Sequence, residues 1–382
     1  MKTCLSPAVY LGVLGYGALT AADRDCFLHR FFTDGREVCF PVSTAGNYTI
    51  QNTLQEGRAY RLHLENGTVI AASPVDSLCA GGDAPVHGTP GLKTLRNLLA
   101  TAMEPVGTTL YIYGGGWDWQ DAHAAPQAMT IGLPPSWPMF FRSQTAAYRY
   151  CDDSDPAHSF YPYGGWNQYY YAGADCSGYL GWVIYNLLQT RSASPAGCAG
   201  YVTAAADMAG RLAGAGLGTL MRCDRGDGLF PAAAFRPGDL FSLRGHVWLC
   251  AGICGDGSIL ILHSTPSPAR DGTGQGGGVQ LSALNPDAPA STDCAAFALA
   301  EHTMKTCYPA WSARYAVQLK DYRVYAALAE NPCAGCLRWA LPDPDGFVAC
   351  SAGEILSVLT GRKLYAPADA ASVQGTRRPG SA

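Results

Sequence analysis

Residues 174–188 read ADCSGYLGWVIYNLL. Asp175 is a residue type that favours the N-cap of a helix. Behind it, apolar side chains recur at helical spacing, at Leu180, Val183, Ile184 and Leu187. The pattern predicts a helix over Tyr179 to Leu188, with Cys176 in its first turn.

A cysteine in that position lies at the positive end of the helix macrodipole, beside backbone N–H groups that have no partner within the helix. Both features stabilise a thiolate, so we expect Cys176 to be nucleophilic near neutral pH. The same N–H groups could bind the oxyanion of a tetrahedral intermediate. A cysteine that opens a helix is more often structural than catalytic, so this interpretation needs a partner base.

Two histidines supply candidates for that base. The apolar stretches FSLRGHVWLCAGI (241–253) and SILILH (258–263) flank Gly255-Asp256-Gly257 and predict a β-hairpin of two strands. A turn at 255–256 or 256–257 makes paired residue numbers sum to 511 or 513, which places His246 and His263 on one face. His246 would then take the thiol proton and His263 would orient it. A three-residue loop would place the two rings on opposite faces.

The rest of the chain is predicted to fall into several segments. Residues 1–75 are predicted to be a small β-rich unit, in which Asn66-Gly67 turns a hairpin that pairs Leu64 with Val69 and Leu62 with Ala71. A helix is expected from Leu92 to Met103, and a second one follows the capping-box pattern of Ser351 and Glu354 and ends at Gly361. The remaining predicted segments are a linker (76–91), a catalytic unit (92–330) that contains an aromatic insertion without clean periodicity (116–174), a helical extension (331–365) and a disordered tail (366–382).

Composition narrows the functional classes. Of 382 residues 48% are apolar, the net charge is −4, and no long basic run occurs, which argues against nucleic-acid binding. No uninterrupted apolar stretch is long enough for a transmembrane helix, and most of the 15 cysteines are interpreted as buried thiols. The N-terminus loosely resembles a signal peptide that ends near Thr20-Ala21-Ala22. It also fits a first buried strand and turn that contain Tyr10, Leu11, Val13 and Leu14.

Five short motifs in fixed order resemble the NlpC/P60 family of papain-like cysteine peptidases. They span roughly residues 92–285 and comprise Tyr111-Ile-Tyr-Gly-Gly, Asp175-Cys-Ser-Gly, Pro237-Gly-Asp-Leu, Gly245-His-Val and Leu262-His263. The resemblance implies an α+β fold in which the cysteine opens a helix packed on an antiparallel sheet that carries the histidine. It also implies that Cys176 is the nucleophile, His246 the base and His263 the third member. Tyr111, Asp175 and Ser177 would lie in the substrate and oxyanion neighbourhood.

One feature departs from the family pattern. About sixty residues separate the Tyr-Gly-Gly motif from Cys176, where similar proteins have a short connection. A second copy, Tyr161-Pro-Tyr-Gly-Gly, lies closer to Cys176 and competes with Tyr111 for the same position. The aromatic insertion could form a wall of the cleft through Trp117, Trp119 and Trp166.

The expected activity is hydrolysis of peptide bonds in bacterial peptidoglycan stem peptides through a thioester, with no metal or organic cofactor. The substrate would be peptidoglycan or a muropeptide, and a cytoplasmic or an exported bacterial protein would both fit. Two alternatives stay open: an acyltransferase or amidase that acts on another amide, and a non-catalytic protein that binds cell-wall glycan or peptide.

Overall fold

The computed structural model describes most of the chain beyond residue 85, together with five N-terminal strands. The described ranges are 86–116, 133, 136–150, 173–188, 203–223, 226–287, 293–328 and 330–364, with strand residues 4–5, 37–42, 46–52, 60–64 and 69–72. The predictions for the N-terminal leader, Trp117, Trp119, Tyr161, Trp166 and the tail 366–382 lie outside the described residues.

Eight helices and a seven-stranded mixed sheet give the described part an α+β architecture. The helices are α1 (Leu95–Met103), α2 (Ser136–Ser143), α3 (Cys176–Leu188), α4 (Met208–Gly214), α5 (Ala295–Cys307), α6 (Pro309–Ser312), α7 (Tyr322–Tyr325) and α8 (Ala352–Thr360). None of these helices is long and apolar enough to cross a bilayer. Two 3₁₀ turns are formed by Ala232–Ala234 and Phe347–Ala349.

The N-terminal strands form a five-stranded sheet in the order β1-β5-β4-β3-β2. They are β1 (Cys4–Leu5), β2 (Glu37–Val42), β3 (Gly46–Asn52), β4 (Tyr60–Leu64) and β5 (Val69–Ala72). In the β4–β5 hairpin Leu62 pairs with Ile70 and His63 with Val69. The predicted pairing of Leu64 with Val69 was therefore wrong by one residue, because five residues separate the last pair, His63 and Val69, whereas a two-residue Asn66-Gly67 turn leaves an even number between paired residues.

The seven-stranded sheet has the order β11-β10-β9-β8-β7-β12-β6. Its strands are β6 (Gly218–Met221), β7 (Leu240–Leu243), β8 (His246–Ile253), β9 (Ile259–Thr265), β10 (Gly278–Leu284), β11 (Leu319–Lys320) and β12 (Gly335–Trp339). All neighbours are antiparallel except β10 and β11. The four central strands from β7 to β10 are almost entirely buried.

Helix α3 lies on this sheet, against β8 and β9, and α1 packs on α3. Every residue of α3 is buried, on all sides of the helix. The predicted helix is confirmed and begins three residues earlier, at Cys176. Within the predicted insertion, where no periodicity was visible, α2 places Trp137 against Trp182 of α3, with 5.6 Å between ring centroids.

The stretch 241–253, predicted as one strand, forms parts of two. β7 and β8 make a hairpin in which Leu243 faces His246, so Arg244-Gly245 is a two-residue turn. Gly245 has φ of +77°, a conformation that side chains disfavour. His246 is therefore the first residue of β8, at the end of the strand where the chain has just reversed.

The segment 331–365, predicted as a helical extension, also contributes β12 between β7 and β6. Its predicted helix is confirmed as α8, with the capping box of Ser351 and Glu354 and with Gly361 in the left-handed conformation at its end. The start of α8 packs on β8, where a Cβ on Gly252 would lie 2.7 Å from the Cα of Ala352. A glycine is needed at that point of closest approach.

The β8–β9 connection differs from the predicted two-residue turn. Ile253 pairs with Ile259, which leaves an odd loop of residues 254–258, and that register would place the histidines on opposite faces. A β-bulge between Cys250 and Gly252 adds one residue to β8 and shifts the register, so Leu249 pairs with Leu262. The bulge returns His246 and His263 to the same face, which confirms the predicted shared face for a different reason.

The odd loop has a tertiary role, because it caps α5. Asp256 Oδ2 accepts a 2.7 Å hydrogen bond from the Ala295 N–H, and Ser258 Oγ accepts one from the Ala296 N–H. Cys294, the N-cap residue of α5, makes no side-chain capping bond of its own. Burial raises the pKa of Asp256, but the hydrogen bonds that its carboxylate accepts from the Ala295 N–H and from Ser258 outweigh burial and lower it overall.

Asp256→Ala should lower the free energy of unfolding by about 1 kcal/mol at pH 7, the usual cost of losing a helix cap. The pKa of Asp256 is lowered in the folded state, so its stabilisation is present above the unfolded pKa and is lost as pH falls. Denaturant unfolding at pH 7 and pH 3 measures both effects. Asp271→Ala is the matched control, because Asp271 accepts the same local bonds from Thr273 but lies on the surface. Equal losses in the two variants would contradict a capping role.

Candidate active site

Cys176 is the first residue of α3, and Asp175 caps that helix. The Asp175 carboxylate accepts hydrogen bonds from the Gly178 N–H at 2.6 Å and from the Ser177 hydroxyl at 2.9 Å. Burial is the main reason that the pKa of Asp175 rises to about 6, although the N–H groups of Gly178, Ser177 and Gly114 oppose this shift. Asp175 and Ser177, predicted to be near the oxyanion, therefore satisfy each other and hold the helix start.

Glycines from two of the sequence motifs are in contact at the first turn of α3, next to Cys176. A Cβ on Gly178 would lie 2.1 Å from the Gly115 carbonyl oxygen, and one on Gly116 would lie 2.9 Å from the Gly178 Cα. The Asp175 N–H also donates to the Gly115 carbonyl at 2.9 Å. Backbone can approach backbone this closely only without side chains, which explains why both motifs carry glycine.

Tyr111 lies beside Cys176, as predicted. Its pKa is raised well above the ordinary value, first by burial and then by the neighbouring Cys176 and Asp175 groups. The Tyr148 hydroxyl donates to the Tyr111 carbonyl at 2.9 Å, and the rings of Tyr111 and Tyr150 meet edge to face. Tyr111 therefore fills a position next to the thiol, while the competing Tyr161 lies outside the described residues.

The Cys176 thiol lies against the strand that carries His246. The backbone N–H of Val247, the residue after His246, hydrogen-bonds to the thiol and lowers its pKa, as do the N–H groups of Ser177 and Cys176. Burial outweighs these bonds, and the net result is a pKa raised above the ordinary value. The expectation of a thiolate at neutral pH is not supported, because desolvation exceeds the stabilisation available at the helix end.

The two histidines form a hydrogen-bonded chain that continues to a serine. His246 Nε2 and His263 Nδ1 are 2.8 Å apart, and His263 Nε2 is 2.9 Å from Ser282 Oγ. His263 and Ser282 are fully buried, whereas His246 is partly exposed. If each neutral ring carries its proton on Nε2, then His246 donates to His263 and His263 donates to Ser282. His246 Nδ1 is then unprotonated and can act as a hydrogen-bond acceptor.

Both imidazoles are neutral in this environment. Burial, followed by the charge of Lys320, lowers the pKa of His246 to about 3. Burial, His246 and Lys320 lower the pKa of His263 well below its ordinary value. The thiol and both imidazoles of this site are therefore neutral near pH 7.

Three residues of the site were missed by the sequence analysis. Ser282 could have been found, because Gln280 and Ser282 alternate with apolar residues along β10 and so share the face of His263. Tyr325 and Lys320 carry no such signal. The Tyr325 ring lies edge-on to His246 at 5.2 Å and to His263 at 6.0 Å. Burial and then the neighbouring Cys176 group raise the pKa of Tyr325, which places Tyr325 near the thiol as well.

The described residues include no group of three or more His, Cys, Asp or Glu side chains placed to hold a metal ion. Among the described residues beyond position 85, nine cysteines are free thiols, and six of them are buried. The two cysteines of Cys333-x-x-Cys336 differ in their surroundings. Cys336 is buried within β12, whereas Cys333 precedes the strand and is partly exposed.

Comparison of the chain with protein-family models, with curated proteins and with solved structures found no match.

Proposed function

We propose that this chain is a cysteine hydrolase with a papain-like NlpC/P60 core that cleaves amide bonds in peptidoglycan stem peptides. The observation that carries the proposal is the hydrogen-bonded series of His246, His263 and Ser282 beside a thiol at a helix start. A nucleophile, a base and an orienting group are the parts that acyl transfer through a thioester needs. The bacterial cell-wall substrate rests on the motif resemblance.

The reaction would proceed in two halves. The Cys176 sulfur attacks the scissile carbonyl carbon while its proton passes to His246, and the oxyanion forms near the N–H groups of Val247 and Ser177. The intermediate collapses as His246 protonates the departing amine, which leaves a thioester on Cys176. Water then gives a proton to His246 and attacks the thioester, and the acid leaves as the proton returns to sulfur.

Mass spectrometry of defined muropeptides tests this proposal. Wild type should convert an intact stem peptide into two fragments whose combined mass exceeds that of the substrate by one water, and Cys176→Ala should leave the substrate unchanged. A mass that corresponds to transfer onto an added amine would instead identify an acyltransferase. Binding that survives Cys176→Ala, without any turnover by wild type, would identify a binding module and contradict the proposal.

A further inference from the structure

Lys320 lies beside the histidine pair, at the end of the edge strand β11. β11 runs parallel to β10, with Lys320 opposite Leu284. The Lys320 Nζ is 3.4 Å from Thr265 Oγ1 and 5.6 Å from the centre of the Tyr325 ring. The positive charge of Lys320 contributes to the lowered pKa of both His246 and His263, so Lys320 lies near the proposed base.

This cation lacks an anionic partner. Among the residues that the structure describes, no aspartate or glutamate forms an ion pair with Lys320. The groups that face it are His246, His263, Tyr325 and Thr265, none of which carries a negative charge at neutral pH. Thr265 accepts at most one of the three ammonium hydrogens, so two donors are left.

An unpaired, partly buried ammonium is unfavourable in the free protein. Burial alone lowers the pKa of Lys320 to about 8, and no neighbour raises it again. Charged groups taken out of water are usually paired, and perturbed groups without a structural partner concentrate at functional sites. Because no carboxylate of the described residues pairs with Lys320, we expect an anionic partner in the bound substrate.

We propose that Lys320 binds a carboxylate of the substrate close to the scissile amide, which makes the enzyme selective for acidic peptides. The inference rests on the proposed function, because it needs Cys176 to be the reacting group. A carboxylate held here would satisfy the free ammonium donors through charge-assisted hydrogen bonds. Neutralising Lys320 in this way would also remove the positive charge that opposes proton uptake by His246.

Two alkylating reagents of nearly equal size test the inference without a known substrate. Iodoacetate carries a carboxylate and iodoacetamide is neutral, and both react with thiols. The rate of modification of Cys176 is followed for each reagent by peptide mass spectrometry, in wild type, Lys320→Met and Lys320→Arg. Lys305→Met is the control, since Lys305 pairs with Glu301 on the surface of α5.

The ratio of the iodoacetate rate to the iodoacetamide rate should fall about tenfold in Lys320→Met, as expected for the loss of one close opposite charge. Lys320→Arg and Lys305→Met should keep the wild-type ratio. In wild type the ratio should also fall as pH rises through about 8, where Lys320 loses its proton. This titration needs no variant and so answers the question even if Lys320→Met does not fold.

The outcomes separate the two proposals. If Cys176 reacts with both reagents and the ratio is the same in wild type and Lys320→Met and at all pH values, carboxylate binding by Lys320 is refuted while the hydrolase stands. If Cys176 reacts with neither reagent in folded wild type, the proposed function fails, and the inference about Lys320 fails with it.

Discussion

His246→Ala should lower the rate of stem-peptide hydrolysis by about 10⁴-fold, because the thiol then has no base to receive its proton. The loss should be severe here, since burial raises the pKa of Cys176 and little thiolate exists before the substrate binds. A thiol that is already ionised can attack without help, whereas a neutral one depends on proton transfer in the transition state.

The measurement is kcat and KM on a defined muropeptide, together with the iodoacetamide rate at Cys176. We expect the loss in kcat, with KM nearly unchanged, because His246 acts on the reacting atoms. His302→Ala is the matched control, as His302 lies exposed on α5. Activity of His246→Ala within tenfold of wild type, in folded protein, would rule out His246 as the base.

His263→Ala should lower kcat by about 10²- to 10⁴-fold, the range seen when the group that orients a catalytic histidine is lost. In the tautomer with both ring protons on Nε2, His263 Nδ1 accepts the hydrogen bond from His246, which keeps the His246 proton on Nε2 and leaves its Nδ1 as an acceptor. Alanine removes the acceptor of the His246 Nε2–H group, and this loss also costs about 1–3 kcal/mol of stability. Folding is therefore checked by thermal unfolding before any rate is compared.

His263→Asn separates a positioning role from a structural one. Its amide oxygen can still accept from His246, so we expect partial recovery of kcat relative to His263→Ala. Ser282→Ala should have a smaller effect of about tenfold, because Ser282 acts through His263. Equal losses for the alanine and asparagine variants would indicate that His263 only fills space.

The pH profile gives a second readout for His263. The pKa of His246 is lowered to about 3, so its base form is present above that pH and wild-type kcat/KM should stay level well below pH 6. Opening the site to water in His263→Ala reduces the burial that lowers the pKa, and the acid limb should move toward the ordinary value of about 6.5.

Much of the site could be predicted because its signals are local. The start of α3, the capping box of α8 and the glycine at its end each depend on residues within about four positions of one another. The electrostatic state of Cys176 could not be predicted in the same way. The favourable helix start was visible in the sequence, whereas the burial that outweighs it arises from packing against β8 and Tyr111.

The register of β8 and β9 shows where local information ends. The sequence around Gly255-Asp256-Gly257 suits a tight turn, yet Asp256 and Ser258 cap a helix that begins almost forty residues later. The longer loop would place the side chains of His246 and His263 on opposite faces of the sheet. The bulge between Cys250 and Gly252 shifts the register by one residue and places them on the same face. The sequence alone predicted which residue types would meet, but the pairing that brings His246 within 2.8 Å of His263 depends on both distant contacts.

By itself, then, the amino-acid sequence determined the helix that Asp175 and Cys176 open and the identity of the two histidines, because helix capping, helical periodicity and strand alternation depend on residues within a few positions of one another. The tertiary structure decided that β12 enters the sheet, that Ser282 completes the histidine series and that Lys320 reaches the site. Strand order and burial are set by contacts between residues far apart in the chain, and side-chain type carries no record of such neighbours.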